Sequence, residues 1–221
     1  MTLQWFHNNN ININSTIGID EVGRGPLAGP VVSAAVWISE ELAKTLESQS
    51  KSMSVRDSKK LSHKQRQKLL EWIGKQSADS IKYGIGVASV QEIDEVNILQ
   101  ATMLSMKRAC NNLKQLWASK NEIQLILIDG NAAPSFSDFS ANIKTVVKGD
   151  SLVLSISLAS IIAKEYRDAI MFDLAKSFPQ YGWQTNVGYG TKAHLDAIKD
   201  FGITQYHRKS FAPVRDSVNL K

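Results

Sequence analysis

Two adjacent carboxylates open the most informative segment of the chain. Asp20 and Glu21 end a short apolar run, and a turn follows directly with the sequence Gly23-Arg24-Gly25-Pro26. Hard divalent cations such as Mg²⁺ take oxygen ligands, commonly carboxylates together with a substrate phosphate. A glycine-rich turn can present its backbone N–H groups to an anion. The segment therefore predicts a metal site at the two carboxylates and a phosphate site at the adjacent turn. This combination suits phosphodiester chemistry.

Two further acids are candidates for the same site. Asp129 ends a fully apolar run, which is typical of a buried parallel strand that stops at a functional edge. If its strand is the parallel neighbour of the strand that carries Asp20, the two acids lie side by side. Asp150 precedes a helix, where it could bind the metal or cap the helix. Three acids of that helix compete for the metal-binding role: Glu165, Asp168 and Asp173.

The elements that must position these acids follow from residue patterns. Strands are predicted where β-branched residues are bounded by Gly or Pro, at 17–20, 30–38, 81–88, 125–129 and 143–147. Helices are predicted from caps and apolar spacing at 62–75, 89–117, 151–176 and 191–202. The interleaving of strands and helices after an opening hairpin indicates an α/β fold with a sheet of mixed direction.

The rest of the chain completes the predicted organisation. Residues 1–14 are polar and rich in Asn, so we expect a loose N-terminal arm. Residues 15–221 are expected to form one domain, whose C-terminal part from about residue 178 is helical and ends in a basic tail. A split near residue 150 is a weaker alternative, because the sequence shows no linker there.

Bulk composition narrows the functional classes. The chain has 221 residues, of which 43% are hydrophobic, a net charge of +5 and a single cysteine. One cysteine excludes an internal disulfide and a cysteine-based zinc site. No apolar run reaches the roughly 18 residues of a membrane span, and we expect a cytoplasmic protein. The positive charge is compatible with a polyanionic partner, and basic residues cluster at 51–68 and 208–215.

Six ordered motifs cover nearly the whole chain after its first dozen residues. They are Asp20-Glu21-Val-Gly-Arg24-Gly, Asp57-Ser58-Lys59-Lys60-Leu61-Ser62, the segment 94–103, Ile128-Asp129-Gly130-Asn131, Lys148-Gly-Asp150 with 155–168, and Gly188-Tyr189-Gly190-Thr191 with 207–211. Together they resemble the signatures of type 2 ribonuclease H, the ribonuclease HII family. Ser157-Leu158 departs from the two small residues expected there. The segment 215–221 lacks the paired aromatics of a clamp-binding peptide, so a sliding-clamp tether is not supported.

The resemblance implies a ribonuclease H-like mixed five-stranded sheet flanked by helices, with a helical C-terminal extension. It implies four metal-binding catalytic acids, namely Asp20, Glu21, Asp129 and Asp150. Two Mg²⁺ or Mn²⁺ ions would then support in-line hydrolysis without a protein nucleophile. The expected substrates are RNA–DNA hybrids and duplex DNA that contains single ribonucleotides. Cleavage on the 5′ side of the ribonucleotide would leave a 3′-hydroxyl and a 5′-phosphate, and we expect a monomer.

A ribonuclease of this kind must read the 2′-hydroxyl that DNA lacks. Gly23, Arg24 and Gly25 are the expected readers, and Tyr189 is expected to pack on the next sugar. Four basic residues are expected to bind backbone phosphates without reading sequence: Lys59, Lys60, Arg208 and Lys209. His194 and His207 lie near Tyr189 in the sequence, but nothing nearby orients either as a general base. They are therefore left out of the catalytic set.

Two other hypotheses remain at this point. A different nuclease on the same sheet, such as a junction resolvase or a ribonuclease H that prefers long hybrids, would share the acids. A non-catalytic nucleic-acid-binding module would keep the basic clusters but would not need four acids at one sheet edge. A phosphate-binding-loop enzyme is disfavoured because the motif Gly-x-x-x-x-Gly-Lys-Ser/Thr is missing.

Overall fold

A computed structural model describes residues 3–48, 61–117, 122–136 and 139–219. In these ranges the strands are β1 (Thr16–Val22), β2 (Val31–Ile38), β3 (Ile81–Ala88), β4 (Leu125–Asp129) and β5 (Asn142–Val146). The helices are α1 (Leu3–Asn8), α2 (Glu40–Ser48), α3 (His63–Ile73), α4 (Val90–Gln115), α5 (Gly149–Leu152), α6 (Leu154–Ser177), α7 (Trp183–Asn186), α8 (Lys192–Phe201) and α9 (Ala212–Asn219). Short 3₁₀ turns lie at Ile13–Ser15 and Pro179–Tyr181.

The strands form one five-stranded sheet in the order β3-β2-β1-β4-β5. β1 and β2 form the predicted antiparallel hairpin, and β3 extends it antiparallel to β2. β4 pairs in parallel with both β1 and β5. The mixed sheet predicted from the sequence is thus confirmed.

The sheet is covered on both faces, which explains why every residue of β2 is buried. Alternate residues of a strand face opposite sides, so Val36 packs in the core that includes α6, whereas Trp37 packs with α4. In β1, Ile17 and Ile19 belong to the core on the α4 side. Asp20 has the other parity and therefore faces α6.

Gly18 allows α6 to approach β1 closely. A Cβ on Gly18 would lie 2.5 Å from the backbone nitrogen of Ile156 and from Oγ of Ser155, which no larger residue could accommodate without movement. This approach brings the next turns of α6, with Ser160 and Lys164, beside the end of β1. The glycine therefore helps to place helix side chains next to Asp20.

The predicted long helix at 89–117 is interrupted. Ser89 caps α4 through a capping box, as predicted, but Asn97 has φ 68° and breaks the helix. Its Oδ1 accepts hydrogen bonds from the N–H groups of Leu99 and Gln100, at 3.0 and 3.2 Å, and so caps the second part. Val96 and Leu99 belong to the apolar pattern of the predicted helix, but they lie on either side of the break and are each 41% exposed.

Three other predicted elements differ from the structure. The expected loose arm contains α1, because Leu3 and Phe6 are one helical turn apart and are buried in the main core. The predicted helix at 151–176 begins earlier and is broken at Val153, whose extended backbone separates α5 from α6. The expected basic tail contains α9, anchored by the buried Val214. In the described part of the chain, no helix has both the length and the apolarity needed to cross a bilayer.

Candidate active site

The first acids lie where two parallel strands end side by side. β1 and β4 pair with Ile19 opposite Ile128, so Asp20 and Asp129 follow at the same edge of the sheet. This confirms that the two acid-bearing strands are parallel neighbours. Glu21 follows Asp20, and these three acids line one cavity of about 400 Å³. Asp20 and Glu21 both lie within β1, which pairs with β2 as far as Val22, so the strand does not end at Asp20 as predicted.

The glycine turn and Tyr189 line the same cavity. Gly23, Arg24 and Gly25 form one part of its wall. Tyr189 is 46% exposed, and its Cε1 lies 3.5 Å from the position that a Cβ on Gly25 would take. The structure thus brings the expected sugar-reading residues next to the acids, while their roles stay predictions.

Asp20 carries the most strongly perturbed carboxyl of this group. Burial raises its pKa well above the ordinary value, and the negative charges of Glu21 and Asp129 raise the pKa further. Hydrogen bonds from Ser160 and from the backbone N–H of Glu21, the latter at 2.8 Å, act in the opposite direction. A bound cation would relieve this repulsion, so the electrostatics favour a positively charged ligand in the cavity.

Glu21 forms an ion pair with a surface arginine. Burial raises the pKa of Glu21, and the nearby Arg24 partly opposes that shift. Arg24 Nη1 lies 3.2 Å from Glu21 Oε1, and the arginine side chain is 51% exposed. Because one partner of this ion pair reaches into solvent, a competing cation can replace it at small cost.

Asp150 lies beside Asp129 but makes contact through its backbone. Its N–H donates to Asp129 Oδ1 at 3.3 Å, and Asp150 is only 2% exposed. The N-cap residue of α5 is Lys148, and that of α6 is Val153; neither caps through its side chain. Helix capping by Asp150 is therefore not what the structure shows, and its role as a metal ligand stays a prediction.

The side chains do not converge on an ion as they stand. Within the described ranges, no group of three or more His, Cys, Asp and Glu residues is arranged to hold a metal. The carboxylates of Asp20 and Asp129 repel each other, and Glu21 forms an ion pair with Arg24. The donor set fits a hard divalent cation in chemical type.

The acids that competed with Asp150 are all paired with cations. The pairs are Glu165 with Arg66 at 2.5 Å, Asp168 with Lys164 at 2.7 Å, and Asp173 with Lys176 at 2.7 Å. Arg66 and Lys164 also line the cavity, a contribution that the sequence analysis missed. The i,i+4 spacing of Lys164 and Asp168 was the available signal. Arg66 and Lys164 thus bring cationic groups to the cavity that Asp20, Glu21 and Asp129 line, each held by a carboxylate of α6.

Arg208 does not have the surface position expected of a phosphate-binding residue. It is completely buried, and its guanidinium donates to four backbone carbonyls, those of Gly23, Arg24, Gly29 and Pro30, at 2.5 to 3.2 Å. Burial and the neighbouring Arg167 lower the pKa of Arg208 to about 9. The prediction of phosphate binding is therefore corrected: Arg208 holds the turn that follows β1.

Arg167 holds the same turn from the other side. It is also completely buried, and it donates to the carbonyls of Pro30, Ala28 and Val187, each at 2.9 Å. Carbonyl groups in an irregular loop need partners when they are buried. The two arginines thus fix the segment 23–30 against the C-terminal part of the chain.

The other expected phosphate-binding residues are less constrained by the structure. Lys209 is exposed, and its backbone N–H donates to Asp94 at 3.0 Å, so its ammonium stays a predicted phosphate contact. Lys59 and Lys60 lie outside the described residues.

The glycines of the turn give a matched pair of substitutions. For Gly25→Ala we expect unchanged folding and a loss of cleavage on the order of 10²-fold, because a Cβ fits 3.5 Å from Tyr189 but blocks close approach of a sugar. The measurement is kcat/KM on a duplex with one ribonucleotide, together with thermal unfolding.

Gly23→Ala is the control for a purely structural effect. Gly23 has φ +93°, and its Cβ would overlap the Arg167 side chain and lie 2.8 Å from the carbonyl oxygen of Pro30. We expect a loss of stability of about 2–4 kcal/mol from strain and overpacking.

Full activity of Gly25→Ala would show that the backbone at this position does not approach substrate.

Comparison with known proteins bears on this arrangement. The family model described as Ribonuclease HII matches residues 17–214. The chain belongs to the ribonuclease HII family. Ribonuclease HII from Wolbachia sp. subsp. Brugia malayi is 48% identical over 200 residues, covering 90% of this chain and 89% of the relative. Members of this family act as ribonucleases H on RNA–DNA hybrids, and the chain is accordingly a hydrolase that cleaves as an endonuclease.

Solved structures support the fold. The ribonuclease H2 from Pyrococcus horikoshii superposes with a TM-score of 0.68 at 24% identity, covering 93% of this chain and 97% of that one. Bst-RNase HIII in complex with Mn²⁺ gives a TM-score of 0.70 at 19% identity, covering 95% and 71%. The ribonuclease H-like sheet with its helical C-terminal part, expected from the resemblance, is thus confirmed.

Proposed function

We propose that the chain hydrolyses the phosphodiester on the 5′ side of a ribonucleotide, both in RNA–DNA hybrids and at single ribonucleotides within duplex DNA. The products are a 3′-hydroxyl and a 5′-phosphate. One observation carries the proposal: the acids Asp20, Glu21 and Asp129 share a cavity with the 23–25 turn and with Tyr189. A site for phosphodiester hydrolysis thereby lies within reach of groups that can contact a sugar.

The proposed cofactors are two Mg²⁺ or Mn²⁺ ions held by Asp20, Glu21, Asp129 and Asp150. The chemical type of these donors fits, and burial together with the negative charges of Glu21 and Asp129 raises the pKa of Asp20. When bound, such ions lower the pKa of water and offset negative charge on the leaving 3′-oxygen. The Mn²⁺ named for Bst-RNase HIII supports the same class of cofactor.

The protein residues position the substrate. Gly25 allows the backbone to approach the ribose, and Tyr189 packs against the adjoining sugar. Lys164 and Arg66 place positive charge on the cavity wall next to a substrate phosphate. Lys209, together with Lys59 and Lys60, binds more distant phosphates, so affinity falls as salt is added. Residues 15–221 act together as one catalytic domain.

Three duplexes of one sequence test the proposal. The first is all DNA, the second has one ribonucleotide, and the third pairs an RNA strand with DNA. We expect cleavage of the second and third with Mg²⁺ or Mn²⁺, and none of the first. The single-ribonucleotide product should be extended by a polymerase from its 3′ end and sealed by a ligase at its 5′ end. Cleavage of the hybrid alone contradicts the proposed specificity, and binding without cleavage indicates a non-catalytic module.

A further inference from the structure

Two buried histidines link the C-terminal segment to Tyr189. Both His194 and His207 are completely buried, and their Nε2 atoms lie 3.1 Å apart. His194 Nδ1 lies 2.9 Å from the backbone carbonyl oxygen of Tyr189, and His207 Nδ1 lies 2.9 Å from the backbone nitrogen of Thr204. The contacts form a continuous chain from Thr204 through both imidazoles to Tyr189.

The partners at the two ends fix which nitrogen carries each proton. A backbone N–H can only donate, so Nδ1 of His207 accepts from Thr204, and the proton of this neutral ring is on Nε2. A carbonyl can only accept, so Nδ1 of His194 carries the proton and donates to Tyr189. Nε2 of His194 is then the acceptor for His207. The two rings therefore have opposite tautomers.

The surroundings keep both rings neutral. The indole N–H of Trp183 also donates to His194 Nε2, at 3.1 Å, so a proton on that atom would face two donors. The ring of Tyr181 packs edge-on against His207 at 4.8 Å between centroids. Burial lowers the pKa of both histidines, that of His207 to about 4. The pattern of donors and acceptors therefore persists at neutral pH.

The main chain at Tyr189 is held on both sides. Its N–H donates to Asn186 at 2.8 Å, and its carbonyl accepts from Thr191 at 2.8 Å as well as from His194. The tyrosine ring itself projects to the cavity and is half-exposed. The position of the ring therefore depends on a backbone that the buried histidine secures.

We propose that His194, held in one tautomer by His207, is a positioning residue that aims Tyr189 at the substrate sugar and thereby contributes to selection of a ribonucleotide. Neither histidine touches substrate. This inference rests on the proposed function, because it assumes that Tyr189 contacts the sugar.

Two isosteric substitutions test the proposal in the full-length protein. In His194→Asn the side-chain amide takes the place of Nδ1 and can still donate to Tyr189. In His194→Gln the amide takes the place of Nε2 and faces His207 and Trp183 instead. On the single-ribonucleotide duplex, we expect KM of His194→Gln to rise about tenfold with a smaller change in kcat, the effect of one lost hydrogen bond. We expect His194→Asn to stay within about threefold of the parent protein.

The same two histidine substitutions in a Tyr189→Ala protein distinguish failure of this inference from failure of the proposed function. In a Tyr189→Ala chain, the two histidine variants should have equal KM, because the group that they position is gone. If Tyr189→Ala leaves the preference for a ribonucleotide unchanged, the proposed role of Tyr189 fails. If Tyr189→Ala abolishes that preference while His194→Gln and His194→Asn behave alike, only the present inference fails.

A measurement on the unmodified protein does not depend on whether the variants fold. The ¹⁵N shifts of the two imidazoles should report a proton on Nδ1 of His194 and on Nε2 of His207 at neutral pH. The opposite tautomer in either ring, or a charged ring, overturns the proposal.

Discussion

Asp129→Asn should lower cleavage of a ribonucleotide-containing duplex by at least roughly a thousandfold, which corresponds to about 4 kcal/mol of transition-state stabilisation. Asn keeps the shape of the side chain and can still accept from the N–H of Asp150, a contact of 3.3 Å in the parent protein. It removes one negative charge from the group that is proposed to hold the ions. The measurement is kcat/KM with Mg²⁺ and with Mn²⁺.

Folding and duplex binding should survive this substitution. The negative charge of Asp129 contributes to the raised pKa of both Asp20 and Glu21. Its neutralisation therefore reduces the electrostatic repulsion among these carboxylates. We expect an unchanged or slightly higher melting temperature and similar binding of an uncleavable all-DNA duplex. Asp173→Asn is the matched control, because Asp173 is exposed on α6 and forms a surface ion pair with Lys176. Equal turnover by Asp129→Asn and the control would remove Asp129 from the site.

Arg208→Met should lower the free energy of unfolding by about 4 kcal/mol, a size expected when a buried, hydrogen-bonded charge is lost and its partners remain. The substitution leaves the carbonyls of Gly23 and Arg24 without this donor, and the turn loses these hydrogen bonds to the C-terminal segment. For a chain of this size the melting temperature should fall by about 10 °C. Thermal and urea unfolding measure the effect.

Two control substitutions accompany Arg208→Met. Arg215→Met removes an exposed arginine that forms an ion pair with its neighbour Asp216, and should change stability by less than about 0.5 kcal/mol. Arg208→Lys keeps the charge but lacks the planar fork that reaches several carbonyls, so we expect an intermediate loss. If Arg208→Met unfolds like Arg215→Met, the turn does not depend on the buried guanidinium.

The sequence predicted best where local pattern and chemistry agree. The apolar runs before Asp20 and Asp129 identify strands, and their acids meet because the strands are parallel neighbours. The capping boxes at Ser62 and Ser89 also begin helices as predicted. In each of these cases the information lies within a few residues of the feature that it specifies.

Prediction from the sequence failed where the role of a residue depends on contacts with residues that are distant in the chain. Arg208 lies in a basic segment and looks like a surface residue, yet its partners are carbonyls 178 to 185 positions earlier. Asn97 sits inside an apolar helical pattern that conceals its capping role. The buried Leu3 and Phe6 lie in a segment whose many asparagines suggested an arm without a core. Composition alone does not reveal these long-range contacts.

The way in which Arg208 holds the turn also determines what the turn offers to a substrate. The C=O and N–H bonds of a trans peptide unit point in opposite directions, and no cis peptide occurs among the described residues. Since the carbonyls of Gly23 and Arg24 point at the guanidinium, the N–H groups of Arg24 and Gly25 in the same peptide units point away from it. Main-chain donors of this kind carry no information about nucleobase identity, so any contact that a ligand makes with them is independent of the base. Adenine, guanine, cytosine and uracil should be equally acceptable at the cleaved position.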